Sequence, residues 1–210
     1  MTENQNPAQE PPKRSLPVWA LPAGILAFMS LLALVLLIVV FATRSCSLAS
    51  FQPIPELKME SDSEAIFAPE IELLNLEGKK VRVSDFRGKA ILINFWSLSC
   101  PACLMELKSL ASLSEQLKDK PFVLLAITED PKDAVQEFLD QTKINLPVYF
   151  DIGGQAHMKY GVIYLPISFV IDPEGKVVDK FAGAADWSHP SVITYFQKLI
   201  ELYQASGINR

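Results

Sequence analysis

Metal-binding side chains are scarce in this sequence. Its 210 residues hold three cysteines and two histidines, and His157 and His189 show no ligand spacing. Structural zinc takes four ligands, so the closest pair, Cys100 and Cys103, lacks the further partners that a metal site requires. No metal and no cofactor is expected. Basic runs are missing as well. Setting aside the three basic and two acidic residues up to Arg44 from totals of 19 and 24 leaves 16 Lys and Arg against 22 Asp and Glu. A mildly acidic chain without an Arg-rich stripe does not fit nucleic acid as a partner. No repeat or low-complexity tract interrupts residues 66–210.

Charge is absent altogether between Leu16 and Thr43, where residues 25–41 are almost entirely Leu, Ile, Val, Ala and Phe. About twenty such residues cross the roughly 30 Å hydrocarbon layer, and the run exceeds the roughly 7–15 residues of a signal peptide's apolar region. One transmembrane anchor over 16–43, in contact with the lipid bilayer, is therefore expected. Trp19 suits the membrane–water boundary. Residues 1–15 form a polar, Pro-containing arm that reads as disordered. Lys13 and Arg14 precede the span and Arg44 follows it. That balance places the arm in the cytoplasm and the rest on the periplasmic or equivalent side of an inner membrane. Residues 44–65, with Ser, Pro and Glu and no clear periodicity, read as a linker. Cys46 within it is the odd cysteine, either an unpaired juxtamembrane thiol or one that is acylated or bonded to another chain.

What is present is a chemical motif at a structural boundary. Phe95-Trp96-Ser97-Leu98-Ser99-Cys100-Pro101-Ala102-Cys103-Leu104-Met105-Glu106 joins a continuous apolar run, 91–96, to a helix-periodic one, 102–118. Both sulfurs should then sit at a helix N-terminus, whose partial positive charge and unpaired N–H groups favour thiolate over thiol. Cys100 is the expected nucleophile. Pro101 suits the first helical position, and Cys103, one turn inside, can resolve a mixed disulfide and close a reversible bond with Cys100. The spacing alone also fits a half zinc site or a buried structural pair. Glu106 falls in line with Cys103, Leu110, Leu113 and Leu117 on the core stripe. Desolvation there would raise its pKa and let it exchange a proton with Cys103; the plainer alternative is an acidic residue complementing the helix dipole.

The segments around this motif alternate as in a mixed sheet covered by helices. Residues 71–76 and 80–83 flank Glu77-Gly78-Lys79 as a hairpin. Further strands are expected at 91–96, 122–128, 148–150 and 167–171. The last of these turns through Asp172-Pro173-Glu174-Gly175 into an antiparallel partner over 176–181. Helical periodicity covers 132–142 and a short turn at 155–160. A final helix starts near Ser188-His189-Pro190, with Val192, Phe196, Leu199, Ile200 and Tyr203 on its apolar face.

These motifs in this order resemble the membrane-anchored thioredoxin-like proteins of the TlpA/ResA type. The likeness rests on Ala68-Pro69 and the hairpin, Asp85-Phe86-Arg87-Gly88-Lys89, Asn94-Phe95-Trp96, Cys100-Pro101-Ala102-Cys103 with Glu106, and Leu165-Pro166-Ile167-Ser168-Phe169-Val170-Ile171-Asp172. It implies an α/β thioredoxin-like fold over 66–210, a mixed sheet flanked by helices with an N-terminal β-hairpin extension. It also implies a cis Leu165–Pro166 bond facing the dithiol, so Leu165 and Pro166, with Trp96 near Cys100, are candidate substrate-binding residues beside catalytic Cys100, Cys103 and Glu106. An edge-strand proline and a purely packing Trp96 are the simpler readings. Asn94 stands where ordinary thioredoxins keep a buried Asp, and Ser99 where the family usually has Trp, which bears on partner choice.

The implied activity is that of an extracytoplasmic protein disulfide oxidoreductase acting on protein thiols and disulfides, such as the disulfide of apocytochrome c, and recharged by a membrane electron donor. An oxidising or redox-sensing role, or a binding module stapled by a structural disulfide, stays open at this point. A peroxidase is disfavoured because Ile93 occupies the place, seven residues before the cysteine, where a peroxidatic site usually has Pro.

Overall fold

The computed structural model describes residues 28, 30–37 and 66–205. The chain divides into two units, Met1–Ser50 and Phe51–Arg210. In the first, residues 30–37 are helical, with Leu31, Leu34, Val35 and Leu37 exposed. Among the described residues no helix is long and apolar enough to cross a membrane. The remainder of the expected span over 16–43, the arm 1–15, the linker 44–65 and Cys46 lie outside the described residues.

The second unit is built on one seven-stranded sheet. In chain order its elements are β1 (Glu72–Asn75), β2 (Lys80–Arg82), a 3-10 turn (Val83–Phe86), β3 (Ala90–Phe95), α1 (Pro101–Gln116), β4 (Phe122–Thr128) and α2 (Lys132–Thr142). They are followed by β5 (Val148–Phe150), α3 (Gln155–Lys159), β6 (Ile167–Ile171), β7 (Val177–Ala182) and α4 (Pro190–Ala205). The strand order is β2-β1-β5-β4-β3-β6-β7. β3, β4 and β5 run parallel. β6 and β7 are antiparallel on one side, and the β1–β2 hairpin is antiparallel on the other.

Why these residues form this sheet follows from burial. β3 is buried at every position, as a strand between parallel and antiparallel neighbours with both faces covered should be. Ala90, Leu92 and Trp96 join Leu107, Leu110, Leu113 and Leu117 in a core that also holds Val135 and Leu139 of α2 and Val192, Phe196, Leu199 and Ile200 of α4. Ile91, Ile93 and Phe95 point the other way, into a core with Ile127, Phe169, Ala156 and Tyr160. Each fully buried leucine of this kind stabilises the fold by about 1.5–3 kcal/mol.

The expected elements are present, with small shifts at their ends. β3 begins and ends one residue earlier than the apolar run, because Ala90 pairs with Phe122 while Trp96 leaves the ladder. β7 starts at Val177 after a register shift beside Val170 and Ile171. The preceding turn closes through Asp172, whose Oδ1 accepts from the Lys176 N–H at 2.8 Å, and Gly175 there has φ +90°, a conformation that L side chains rarely adopt.

Candidate active site

Cys100 is the N-cap of α1, in extended conformation, with Pro101 at the first helical position. Its Sγ accepts from the Cys103 N–H at 3.1 Å, and the two cysteines form a disulfide with Cα atoms 5.3 Å apart. The pair is asymmetric. Cys100 is half-buried, whereas Cys103 has 0% exposure. An attacking group can reach only the first sulfur. When the bond is open, the helix N-terminus and the Cys103 N–H that already meets Sγ both favour negative charge on Cys100.

The loop before Cys100 is held by a residue that the sequence reading missed. Asp130, just past β4, accepts from the Leu98 N–H at 2.6 Å, from Thr128 Oγ1 at 2.9 Å and from Ser97 Oγ at 3.1 Å. The Cys100 N–H in turn donates to Ser97 O at 3.1 Å. Because β3 and β4 are parallel neighbours, their C-terminal ends meet at one edge, and Asp130 ties the Cys100 loop to the strand beside it. The signal available in the sequence was a Thr-x-Asp directly after an apolar strand.

Glu106 has 0% exposure. Its Oε1 accepts from Asn94 Nδ2 at 2.8 Å; its Oε2 accepts from the Ala185 N–H at 3.0 Å and from Trp187 Nε1 at 2.9 Å. Burial raises its pKa above the ordinary glutamate value, and the donors from Ala185, Trp187 and Asn94 offset only part of that cost. The dipole-complementing alternative does not fit, since the first turn of α1 holds no acidic residue. Trp187 and Ala185 were not read from the sequence as neighbours of the site. They reach it from the segment between β7 and α4, in the same core as the buried face of α1, where Ser109 Oγ also accepts from the Trp187 backbone N–H at 3.1 Å.

The remaining candidates divide. The Leu165–Pro166 bond is cis. Since Phe95 pairs with Ile167, Pro166 lies at the same sheet edge as the Cys100 loop, with half-buried Leu165 before it and Tyr164 and Ile163 exposed. Trp96 requires a correction. It is fully buried, packs against Phe138 at 6.3 Å between ring centroids, and its Nε1 has no hydrogen-bond partner. With no surface to offer a substrate, it is a packing residue.

His157, which shows no ligand spacing in the sequence, is brought beside two carboxylates: its Nδ1 is 2.8 Å from Asp151 and 3.2 Å from Glu129. Asp151 is already committed to the start of α3, accepting from the Ala156 and His157 N–H groups at 3.0 and 2.9 Å.

The model of the AhpC/TSA family matches residues 67–180. A thiol-disulfide oxidoreductase ResA of Bacillus thuringiensis is 40% identical over 129 residues, covering 61% of this chain and 73% of the relative. The ResA of Bacillus subtilis is 34% identical over 149 residues, or 70% and 82% of the two chains. Among solved structures, the thioredoxin domain of a thiol-disulfide oxidoreductase from Bacteroides vulgatus is similar with a TM-score of 0.56 at 25% identity, covering 66% of this chain and 98% of that one. The exposed lipoprotein thioredoxin of Streptococcus pneumoniae is similar with a TM-score of 0.54 at 26% identity, covering 62% and 99%.

Proposed function

The chain belongs to the AhpC/TSA family and is a protein disulfide oxidoreductase, and we propose that it is a membrane-tethered reductant of specific protein disulfides on the extracytoplasmic side. The observation that carries the reading is the unequal pair at the head of α1, one sulfur half-buried at the helix N-terminus and the other fully buried, with a buried carboxylate three residues further along the helix.

In the reduced enzyme the Cys100 thiolate attacks one sulfur of a partner disulfide. A Cys100–partner bond forms, the partner's S–S bond breaks, and the released partner thiolate takes a proton from water. Cys103 then passes its thiol proton to Glu106, and its thiolate attacks Cys100 Sγ. The Cys100–Cys103 bond forms as the second partner thiolate leaves and is protonated. Two electrons have moved from the enzyme to the partner, and a membrane electron donor restores the dithiol. Leu165 and Pro166, at the edge shared with Cys100, present backbone to the partner chain.

The charge-free stretch 16–43 supports the tether, and disulfides persist on the outer side of a cytoplasmic membrane. Tethering also raises the effective concentration of donor and acceptor held on one surface. Apocytochrome c is the substrate favoured by the resemblance to the TlpA/ResA type. Cys100→Ser is expected to reduce turnover to background and to trap no mixed disulfide, while Cys103→Ser should accumulate one, visible by non-reducing electrophoresis. Full activity in Cys100→Ser would remove the reading. A titration of the couple against glutathione or dithiothreitol fixes direction: a strongly oxidising potential would make the chain a disulfide-forming enzyme instead.

A further inference from the structure

The hydrogen bonds around Glu106 are unequal in kind. Oε2 meets the Ala185 N–H and the Trp187 indole N–H, both donor-only groups. A proton on Oε2 would point at two hydrogens, so the acid form of Glu106 must carry its proton on Oε1, the oxygen facing Asn94.

Asn94 is placed by β3's alternation on the α1 face, opposite Ser168 of β6 in the antiparallel ladder. Its Nδ2 donates to Glu106 Oε1 at 2.8 Å and to Ser168 Oγ at 2.9 Å, and its Oδ1, fully buried, has no hydrogen-bond partner. This arrangement suits the carboxylate and clashes with the acid, whose O–H would face an NH2. Turning the amide over reverses the match. Oδ1 then accepts from Glu106 Oε1–H and from the Ser168 hydroxyl, which donates as readily as it accepts. Either orientation leaves one end of the amide unpaired. An aspartate at this position would add a second titrating group, whereas an amide responds to the proton without taking it.

We infer that Asn94 is the positioning residue for the Glu106 proton, its side-chain amide donating to the carboxylate and turning over to accept from the acid. The inference rests on the reading of Glu106 as the proton partner of Cys103. It assigns Ser168 as the hydroxyl that reverses with the amide, and Trp187 and Ala185 as the groups that confine the proton to one oxygen.

Infrared pH titration of the full chain in detergent tests this, with asparagine carrying 13C at its side-chain carbonyl. Subtracting the titration of Glu106→Gln leaves the bands that follow Glu106. A labelled amide carbonyl band should move to lower frequency with the same midpoint as the carboxyl band. If no labelled band moves, or if one moves equally in Glu106→Gln, the inference is overturned. Asn94→Leu should abolish that labelled band; a band that persists in Asn94→Leu also overturns the inference. Should Asn94→Leu not fold, the labelled wild type decides alone. None of these readouts needs turnover. Coupled bands in a chain with no oxidoreductase activity would sink the proposed function and leave the switch standing, and active enzyme without coupled bands would do the reverse.

Discussion

Two buried carboxylates in this domain each receive three N–H donors, yet their acidities move in opposite directions. Glu106 takes Asn94, Ala185 and Trp187; Asp151 takes Ala156 and His157 backbone N–H groups and His157 Nδ1. Glu106 is pushed up by burial. For Asp151, desolvation also pulls upward, but the Ala156 N–H, the His157 ring and the His157 N–H outweigh it and its pKa falls below the ordinary aspartate value.

The difference is depth and partner charge, not bond count. Asp151 has only 3% exposure, but it lines a pocket of about 330 Å³ together with Glu129, Ile152, Gly153 and Gly154. One of its partners is a histidine ring. Glu106 sits between sheet and helix with neutral donors only. A carboxylate that holds a loop gains from staying ionised, whereas the proton exchange proposed for Glu106 needs one that can become neutral.

The largest way to break this contrast is Glu106→Gln, which keeps the shape and ends titration. Turnover should fall about a hundredfold, and the pH profile of kcat should lose the limb belonging to Glu106. Its effect on stability has a defined sign. A raised native pKa contributes stability that is complete below the ordinary glutamate value and is lost as pH rises through the native one. Urea unfolding across pH should therefore show that decline in the wild type and not in Glu106→Gln.

Asp151→Ala comes next. It should cost about 1–3 kcal/mol by leaving the Ala156 and His157 N–H groups unpaired, with kcat little changed. Asp151→Asn isolates the charge. Because the native pKa is lowered, its contribution is present above the ordinary aspartate value and lost as pH falls through the native one, so the variant should lose less stability in acid than the wild type does. Trp187→Phe should be the smallest. It keeps a buried ring beside Phe181, 5.7 Å away between centroids, but removes one donor from the carboxylate. The midpoint of the Glu106 limb should rise by up to about one pH unit, with kcat well above that of Glu106→Gln.

Much of the domain was legible because its strands are continuous apolar runs ended by turn residues. The run 122–128 and the helix 132–142 match the sequence reading residue for residue, since Pro131 and Lys143 bound that helix. The dithiol was legible for the same local reason: Cys-Pro-Ala-Cys carries its own helix start. Glu106 could be placed by helical spacing from Cys103. For Trp96 the sequence leaves substrate contact and packing both open, because position along the chain says that it follows β3 but not that α2 closes over it with Phe138. Asp130 and Trp187 went unseen because each reaches the site from a separate element, across 32 residues from Leu98 in one case and 81 from Glu106 in the other.

From the order of amino acids alone follow the strands, the helices and the pairing of Cys100 with Cys103, because each depends on residues within a turn or a few pleats of one another. Which carboxylate keeps its charge, which amide faces it, and which indole holds it in place were decided only when β3, β6, α1 and the segment before α4 came together. Desolvation and hydrogen-bond direction are properties of that enclosed space, and no single stretch of the chain contains it.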